Sequence, residues 1–164
     1  MLLSPGKEQS TMSYKHTLRM SELVTPEMAN FSGKMHGGDL LRLLDRVAYT
    51  CAMRYCASYV VTLSVDKVLF KDAIEIGEMV SCLASVNYTG NTSLEVGIRV
   101  VAEDIRQRKS RHTNSCYFTM VSLDKNGKPT QVPPFTPQTP DEKRRYQEAL
   151  QRRQIRLEEA QLSG

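Results

Sequence analysis

The stretch "NFSGKMHGGDLLRLLDRVAY" (Asn30 to Tyr49) decides which fold this 164-residue sequence predicts. From Gly38 to about Cys56, apolar side chains recur at the three- and four-residue spacing that gives a helix one buried face. They are Leu41, Leu44, Ala48, Cys51, Ala52 and Tyr55. The pattern predicts one long helix that begins directly after a pair of glycines.

Strand-like segments, rich in Val, Ile, Thr, Tyr, Phe or Cys, surround this helix. A short one, "SYKHTLRM", precedes it, and a loop, "SELVTPEMANFSGKM", joins the two. The segments after it are "YVVTLSVDKVLF", "EMVSCLASVNYT", "TSLEVGIRVVAED" and "HTNSCYFTMVSLD", with hairpin signals at "YTGNTS" and "DKNGKP". Since no further helix separates these strands, the order favours an antiparallel sheet on a single helix, an α+β arrangement.

A second, polar helix is predicted at the carboxyl end of the chain. Prolines in "TQVPPFTPQTPDEK" end the regular structure, and Thr139 supplies an N-cap for a helix from Asp141 to Gln161. The sequence therefore divides into a flexible tail over residues 1–12, one domain over 13–137 and a helical extension over 138–164.

Composition excludes several classes of protein. No stretch is apolar enough to cross a bilayer and no secretory signal is evident, so a cytoplasmic location with four reduced cysteines is expected. The cysteines and the three histidines lack metal-ligand spacing, so no metal is expected. The net charge is +4, with basic clusters at Arg106 to His112 and Lys143 to Arg156, which either meet an anionic partner or form a solvated surface.

An acidic side chain, Asp45, lies at the margin of the apolar stripe of the helix. The ordinary interpretation is a solvent-facing carboxylate paired with Arg42, and the functional one is a carboxylate kept near a cleft for a task. Gly37 and Gly38 at the helix start either make a tight turn or present unpaired N–H groups to an anion or a polarised carbonyl oxygen.

Together, four segments resemble the acyl-coenzyme A thioesterases of the hotdog fold, from about Tyr14 to Pro137. They are "NFSGKMHGGDLLRLLDRVA", "VVTLSVDKVLFKDAIEIGEMV", "TGNTSLEVGIRVVAED" and "TNSCYFTMVSLDKNGKPTQVPPFTP". The resemblance implies a curved antiparallel sheet wrapped around one long helix, and homodimers that commonly assemble as trimers of dimers. It also implies hydrolysis of fatty acyl-CoA to fatty acid and coenzyme A, with no cofactor because coenzyme A is part of substrate and product.

The resemblance implies a role for each residue of its asparagine–glycine–aspartate pattern. Asp45 is expected to act as general base for a water molecule or as a nucleophile. Asn30 is expected to come from the opposite protomer and to orient the water or the thioester. The N–H groups at Gly37 and Gly38 are expected to form the oxyanion hole.

Two further sets of residues are expected to bind coenzyme A. The phosphates are assigned to the basic residues Arg106, Arg108, Lys109 and Arg111, and the pantetheine or nucleotide path to Gly90, Asn91, Thr92 and Ser93. His36, beside the glycines, is interpreted as a pocket or turn residue rather than a catalytic base. Met20, Met28 and Met35 are expected to pack or to line an acyl tunnel.

Two non-catalytic alternatives remain. Basic clusters are the electrostatic footprint of RNA-binding proteins, but the strands lack a set of exposed aromatic residues for base stacking, so no nucleic acid partner is expected. The other is a sensor that binds acyl-CoA or a nucleotide without chemistry, against which the presence of both Asn30 and Asp45 argues.

Overall fold

Five antiparallel strands and two helices make up residues 15–164, the part of the chain that this computed structural model describes. In chain order they are β1 (Thr17–Leu23), α1 (Gly37–Cys56), β2 (Tyr59–Val65), β3 (Met79–Thr89), β4 (Ser93–Asp104), β5 (Lys109–Leu123) and α2 (Pro140–Leu162). A single 3-10 turn covers Pro26–Met28. The tail predicted over residues 1–12 lies outside the described residues.

The strands form one sheet in the order β1-β3-β4-β5-β2, and every neighbouring pair is antiparallel. Alternate side chains of β4 face α1, so the core lies between the sheet and this helix. The buried face of α1 consists of Leu40, Leu43, Leu44, Val47, Ala48, Cys51, Ala52 and Tyr55. The predicted α+β hotdog fold, a curled sheet around one long helix, is confirmed.

The helix boundaries agree with the sequence to within one residue, but three strand boundaries differ. β1 continues to Leu23, which the sequence places in a loop, because Leu23 still pairs with Met79. β2 ends at Val65 instead of continuing to Phe70. β5 begins at Lys109, which pairs with Asp104 across a tight turn, so part of the basic cluster lies in a strand.

The predicted C-terminal helix is α2, and it packs on the outer face of the sheet, opposite α1. Thr139 and Glu142 form a capping box at its start. Arg152 links it to the sheet, donating to the buried Glu95 of β4 at 2.7 and 3.1 Å and stacking 3.6 Å over the ring of Tyr117. Neither α1 nor α2, the helices of residues 15–164, is apolar and long enough to cross a membrane.

All four cysteines are free thiols. Burial raises the pKa of Cys51, Cys82 and Cys116 to about 12 and that of Cys56 to about 11. The thiols are therefore protonated at neutral pH and act as small apolar side chains of the core.

Candidate active site

Asp45 lies on the exposed side of α1, where it faces β2. Its Oδ1 accepts a 2.8 Å hydrogen bond from the hydroxyl of Thr62. Its Oδ2 makes no hydrogen bond within residues 15–164. Asp45 also lines a cleft of about 550 Å³ between α1 and β1, together with Met20, Leu43 and Tyr49. One oxygen is thus fixed in place, and the other is available to take a proton from water.

Asn30 lies in the loop before α1, where its side chain bonds neighbouring loop residues. Its Oδ1 accepts hydrogen bonds from the backbone N–H of Ser32 at 3.0 Å, the hydroxyl of Ser32 at 2.8 Å and the backbone N–H of Lys34 at 3.2 Å. The side-chain Nδ2 makes none within the described range. Asn30 is therefore available as a hydrogen-bond donor, which suits a carbonyl oxygen or an oxyanion better than the hydrogens of a water molecule.

His36 is the N-cap of α1, the turn role that the sequence interpretation gave it. Its Nδ1 accepts the N–H of Gly38 at 3.2 Å, and its backbone oxygen accepts from Asp39 and Leu40. Of the two predicted oxyanion donors, the N–H of Gly37 is the one without an acceptor among residues 15–164. The N–H of Gly38 is already in use and becomes available only if the imidazole turns away.

The geometry of α1 separates the predicted base, Asp45, from the predicted oxyanion donors at its start. Gly37 and Asp45 lie on the same helix, and a rise of 1.5 Å per residue places them about 12 Å apart along its axis. A water held by Asp45 lies only about 3 Å from the carboxylate and cannot reach a thioester bound at Gly37 of the same protomer.

The two predicted coenzyme A segments lie at opposite ends of the sheet. One segment leads into β4 and the other follows it, and the twelve residues of this strand span about 40 Å. The basic turn lies at the end where α1 starts. Arg111, close to the turn, donates to the backbone oxygen of Ala73, and Met35, just before α1, donates to that of the adjacent Ile74. The Gly90–Ser93 turn lies at the other end.

The basic residues differ in how far their charge is already neutralised. Arg106, Arg108 and Lys109 are exposed and make no ion pair within residues 15–164. Arg111 donates to Glu78 at 2.5 and 2.9 Å and to Asp72 at 3.2 Å, and the hydrogen bonds with Glu78 raise the pKa of its guanidinium. The phosphate role stays a prediction, and the geometry favours the first three residues for it.

Two residues near the site were not singled out from the sequence. Thr62 faces α1 because it lies two residues after the buried Val60 and so on the same face of β2. A hydroxyl two positions from a buried strand residue is the sequence signal that could have marked it. The ring of Phe70 lies against Gly37, 3.6 Å from where a β-carbon would be. No sequence pattern marks that contact.

Sequence comparisons identify relatives of this chain. The family model of the thioesterase superfamily matches residues 32–109. Protein VdlD of Helicobacter pylori is 58% identical over 139 residues, which cover 85% of this chain and 79% of that protein. The cytosolic acyl coenzyme A thioester hydrolase of Rattus norvegicus is 36% identical over 149 residues, 90% of this chain but 38% of that protein.

Solved structures with the same fold include an apo-hexameric acyl-CoA thioesterase, with a TM-score of 0.85 and 36% identity. The match covers 88% of this chain and 92% of that one. An acyl-CoA hydrolase from Staphylococcus aureus, solved with butyryl coenzyme A and coenzyme A, gives a TM-score of 0.81 and 32% identity, covering 90% of this chain and 92% of that one. This chain belongs to the thioesterase superfamily, and within it to the hotdog-fold acyl-CoA thioester hydrolases.

Proposed function

We propose that this protein hydrolyses fatty acyl-CoA to a free fatty acid and coenzyme A, with Asp45 as the general base. The observation that carries the proposal is that Thr62 holds the Oδ1 of Asp45, while Oδ2 makes no hydrogen bond within residues 15–164 and Asp45 lines a cleft. Asp45 takes a proton from water, and the resulting hydroxide attacks the thioester carbon. The C–S bond then breaks, and the leaving thiolate of coenzyme A receives the proton from Asp45.

The oxyanion of the tetrahedral intermediate is bound by the Nδ2 of Asn30 and the N–H of Gly37 from the partner protomer. Distance supports this division, because about 12 Å of helix separates Gly37 from Asp45 within one protomer. An oxyanion donor typically contributes about 3 kcal/mol to lowering the barrier. In this proposal neither protomer alone forms a complete site, and a dimer holds two.

The dimer forms through β2, which pairs on one side only within residues 15–164. Its outward side chains Tyr59, Val61 and Leu63 are 70%, 45% and 67% exposed, an apolar row along an open strand edge. The other open edge, β1, exposes mainly polar side chains such as Thr17 and Arg19. β2 is therefore the edge suited to a second copy.

Antiparallel pairing of two β2 strands also resolves the separation of the coenzyme A segments. It turns the partner by half a revolution, so the partner's Gly90–Ser93 turn comes to the end where Arg106, Arg108 and Lys109 lie. Those three cations would then hold the phosphates, and the turn would line the path of the ligand. We propose no cofactor beyond coenzyme A itself.

A solved relative supports the choice of residues. Three variants of the Staphylococcus aureus hydrolase each replace one residue by alanine: an asparagine, an aspartate and a threonine. In that chain they are 15 and 17 positions apart, and Asn30, Asp45 and Thr62 have the same spacing here. We infer that these three residues form the corresponding set.

Higher assembly and location follow from relatives in the same way. Two solved thioesterases are described as hexameric, which supports a trimer of dimers for this chain. The rat relative is named as cytosolic, which supports a cytoplasmic location.

The test is release of free thiol from acyl-CoA of several chain lengths by the wild type, Asp45→Ala and Asp45→Asn. Loss of a general base lowers kcat by about a hundredfold or more, so both variants should lose turnover while keeping the wild-type circular dichroism. Asp39→Asn, in the first turn of the same helix, is the matched control and should stay active. Turnover near the wild-type value in Asp45→Ala would remove Asp45 from the mechanism.

A further inference from the structure

The ring of Phe70 lies beside Gly37, the first residue of α1. A β-carbon on Gly37 would lie 3.6 to 3.9 Å from the ring, so the ring occupies the side of Gly37 where a larger residue would place its side chain. Phe70 is 54% exposed, and its neighbour Gly37 carries the N–H donor that we assign to the thioester oxygen. An apolar ring in this position excludes water from one side of that donor.

Phe70 lies in segment 66–73, which leaves the sheet after β2 and is held at both ends by arginines. At one end, Arg156 of α2 donates to Asp66 at 2.9 and 3.2 Å. At the other, Arg111 of β5 donates to the backbone oxygen of Ala73 at 2.6 Å and to Asp72 at 3.2 Å. The two arginines come from different elements, α2 and the sheet, and both contact the segment that carries the ring.

The pair at the α2 end is well shielded. The side chains of Arg156 and Asp66 are 22% and 21% exposed, and the backbone N–H of Asp66 also donates to the oxygen of Tyr117 at 2.9 Å. Breaking a shielded pair of this kind leaves an uncompensated charge and displaces the backbone that bears it.

We propose that Arg156 and Arg111 act as positioning residues for thioester hydrolysis, by holding segment 66–73 so that the Phe70 ring shields the Gly37 oxyanion donor from water. This gives the C-terminal helix α2 a role in catalysis that acts through Phe70. The inference rests on the proposed function, because it assumes that the thioester oxygen binds at Gly37.

The experiment measures kcat and KM for acyl-CoA hydrolysis in Phe70→Ala, Arg156→Ala and the double variant. Loss of the shield should lower kcat about tenfold in Phe70→Ala, with a smaller change in KM, because the donor acts on the transition state. Arg156→Ala should lower kcat in the same sense. The double variant should be no slower than Phe70→Ala, because Arg156 acts through the ring.

Arg153→Ala is the matched control on α2, since Arg153 is exposed and makes no ion pair within residues 15–164, and it should keep the wild-type kcat. Phe70→Leu keeps an apolar side chain beside Gly37 and should retain most of the wild-type kcat. If Arg156→Ala does not fold, Asp66→Asn weakens the same pair from the other side and should reproduce the loss.

An unchanged kcat in Phe70→Ala, or losses that multiply in the double variant, would overturn the inference. Either result is distinguishable from failure of the proposed function. If the proposed function itself fails, Asp45→Asn will retain turnover, or the wild type will release no thiol from acyl-CoA.

Discussion

Asp45 and Thr62 form a contact between a helix and the edge strand of the sheet, 17 positions apart in the chain. The hydroxyl fixes one carboxylate oxygen, so the direction of the other is set before substrate binds. Asn30 is similar, since its side-chain oxygen accepts hydrogen bonds within the loop while its amide N–H₂ makes none within residues 15–164. At both residues, Oδ1 is held by hydrogen bonds within the protein, so the orientation of the second polar atom is set in advance.

Thr62→Val should lower kcat for acyl-CoA hydrolysis by about tenfold, because it removes the donor that orients the base. The shape of the side chain is nearly retained and Thr62 is exposed, so the melting temperature should change little. Thr50→Val, whose hydroxyl bonds the backbone oxygen of Arg46 on α1, is the comparison. Equal kcat values in wild type and Thr62→Val would show that Asp45 needs no such orientation.

At this scale the sequence singles out candidate residues for the site but not their contacts. Asn30 and Asp45 stand out because their spacing around the glycines forms a recognisable pattern. Thr62 is not, because its partner lies on another element. The charge of Arg111 is evident from the sequence, but its pairing with Glu78 and Asp72 depends on how the chain folds back.

Among the elements, α1 is predicted almost to its ends, because its apolar periodicity is a local property of the sequence. The ends of β2 and β5 depend on distant partners. β2 ends at Val65, and the next residue, Asp66, contacts Arg156 of α2, 90 positions away. No periodicity within β2 contains that information.

The amino end of α2 depends on Glu142. Its carboxylate accepts hydrogen bonds from the backbone N–H groups of Gln138 and Thr139 and contacts the ring of His16. These contacts lower its pKa from 4.5 to about 2. Because the folded pKa lies below the unfolded one, this contribution to stability is complete above pH 4.5 and is lost as the pH falls towards 2.

Glu142→Gln should therefore unfold at lower urea concentration than the wild type at pH 7, and the difference should narrow as the pH falls below 4.5. Urea melts followed by circular dichroism at several pH values measure this. Glu148→Gln, which alters an exposed pair with Arg144 on the same helix, is the control. A difference that stays constant from pH 7 to pH 3 would contradict the assigned role of the carboxylate.

At the scale of the whole molecule, β2 pairs on one side only within residues 15–164, and in the proposed mechanism one protomer holds an incomplete site. The sheet ends at an apolar strand edge, and Asp45 lies on the same open side of α1 that faces this edge through Thr62. The overall fold was predictable because the family pattern extends over most of the chain. How two copies combine was not, since it depends on the surfaces that the fold leaves uncovered.

Leu63→Glu should reduce the assembly to monomers or weakly associated dimers, because it places a charge in the apolar row of β2. Light scattering after size exclusion measures the mass, and thiol release should fall together with it. Ile105→Glu, at an exposed residue of the β4–β5 turn, should leave the mass unchanged. A Leu63→Glu protein of wild-type mass would place the dimer interface elsewhere.

The shared site is tested most directly by combining two inactive variants, Asn30→Ala and Asp45→Ala, by co-refolding equal amounts. Random pairing makes half of the dimers mixed, and each mixed dimer carries one intact site, so the mixture should regain about a quarter of the wild-type turnover. Mixed dimers that form, as shown by distinguishable tags, and yet release no thiol would contradict a site built from Asp45 of one protomer and Asn30 of the other.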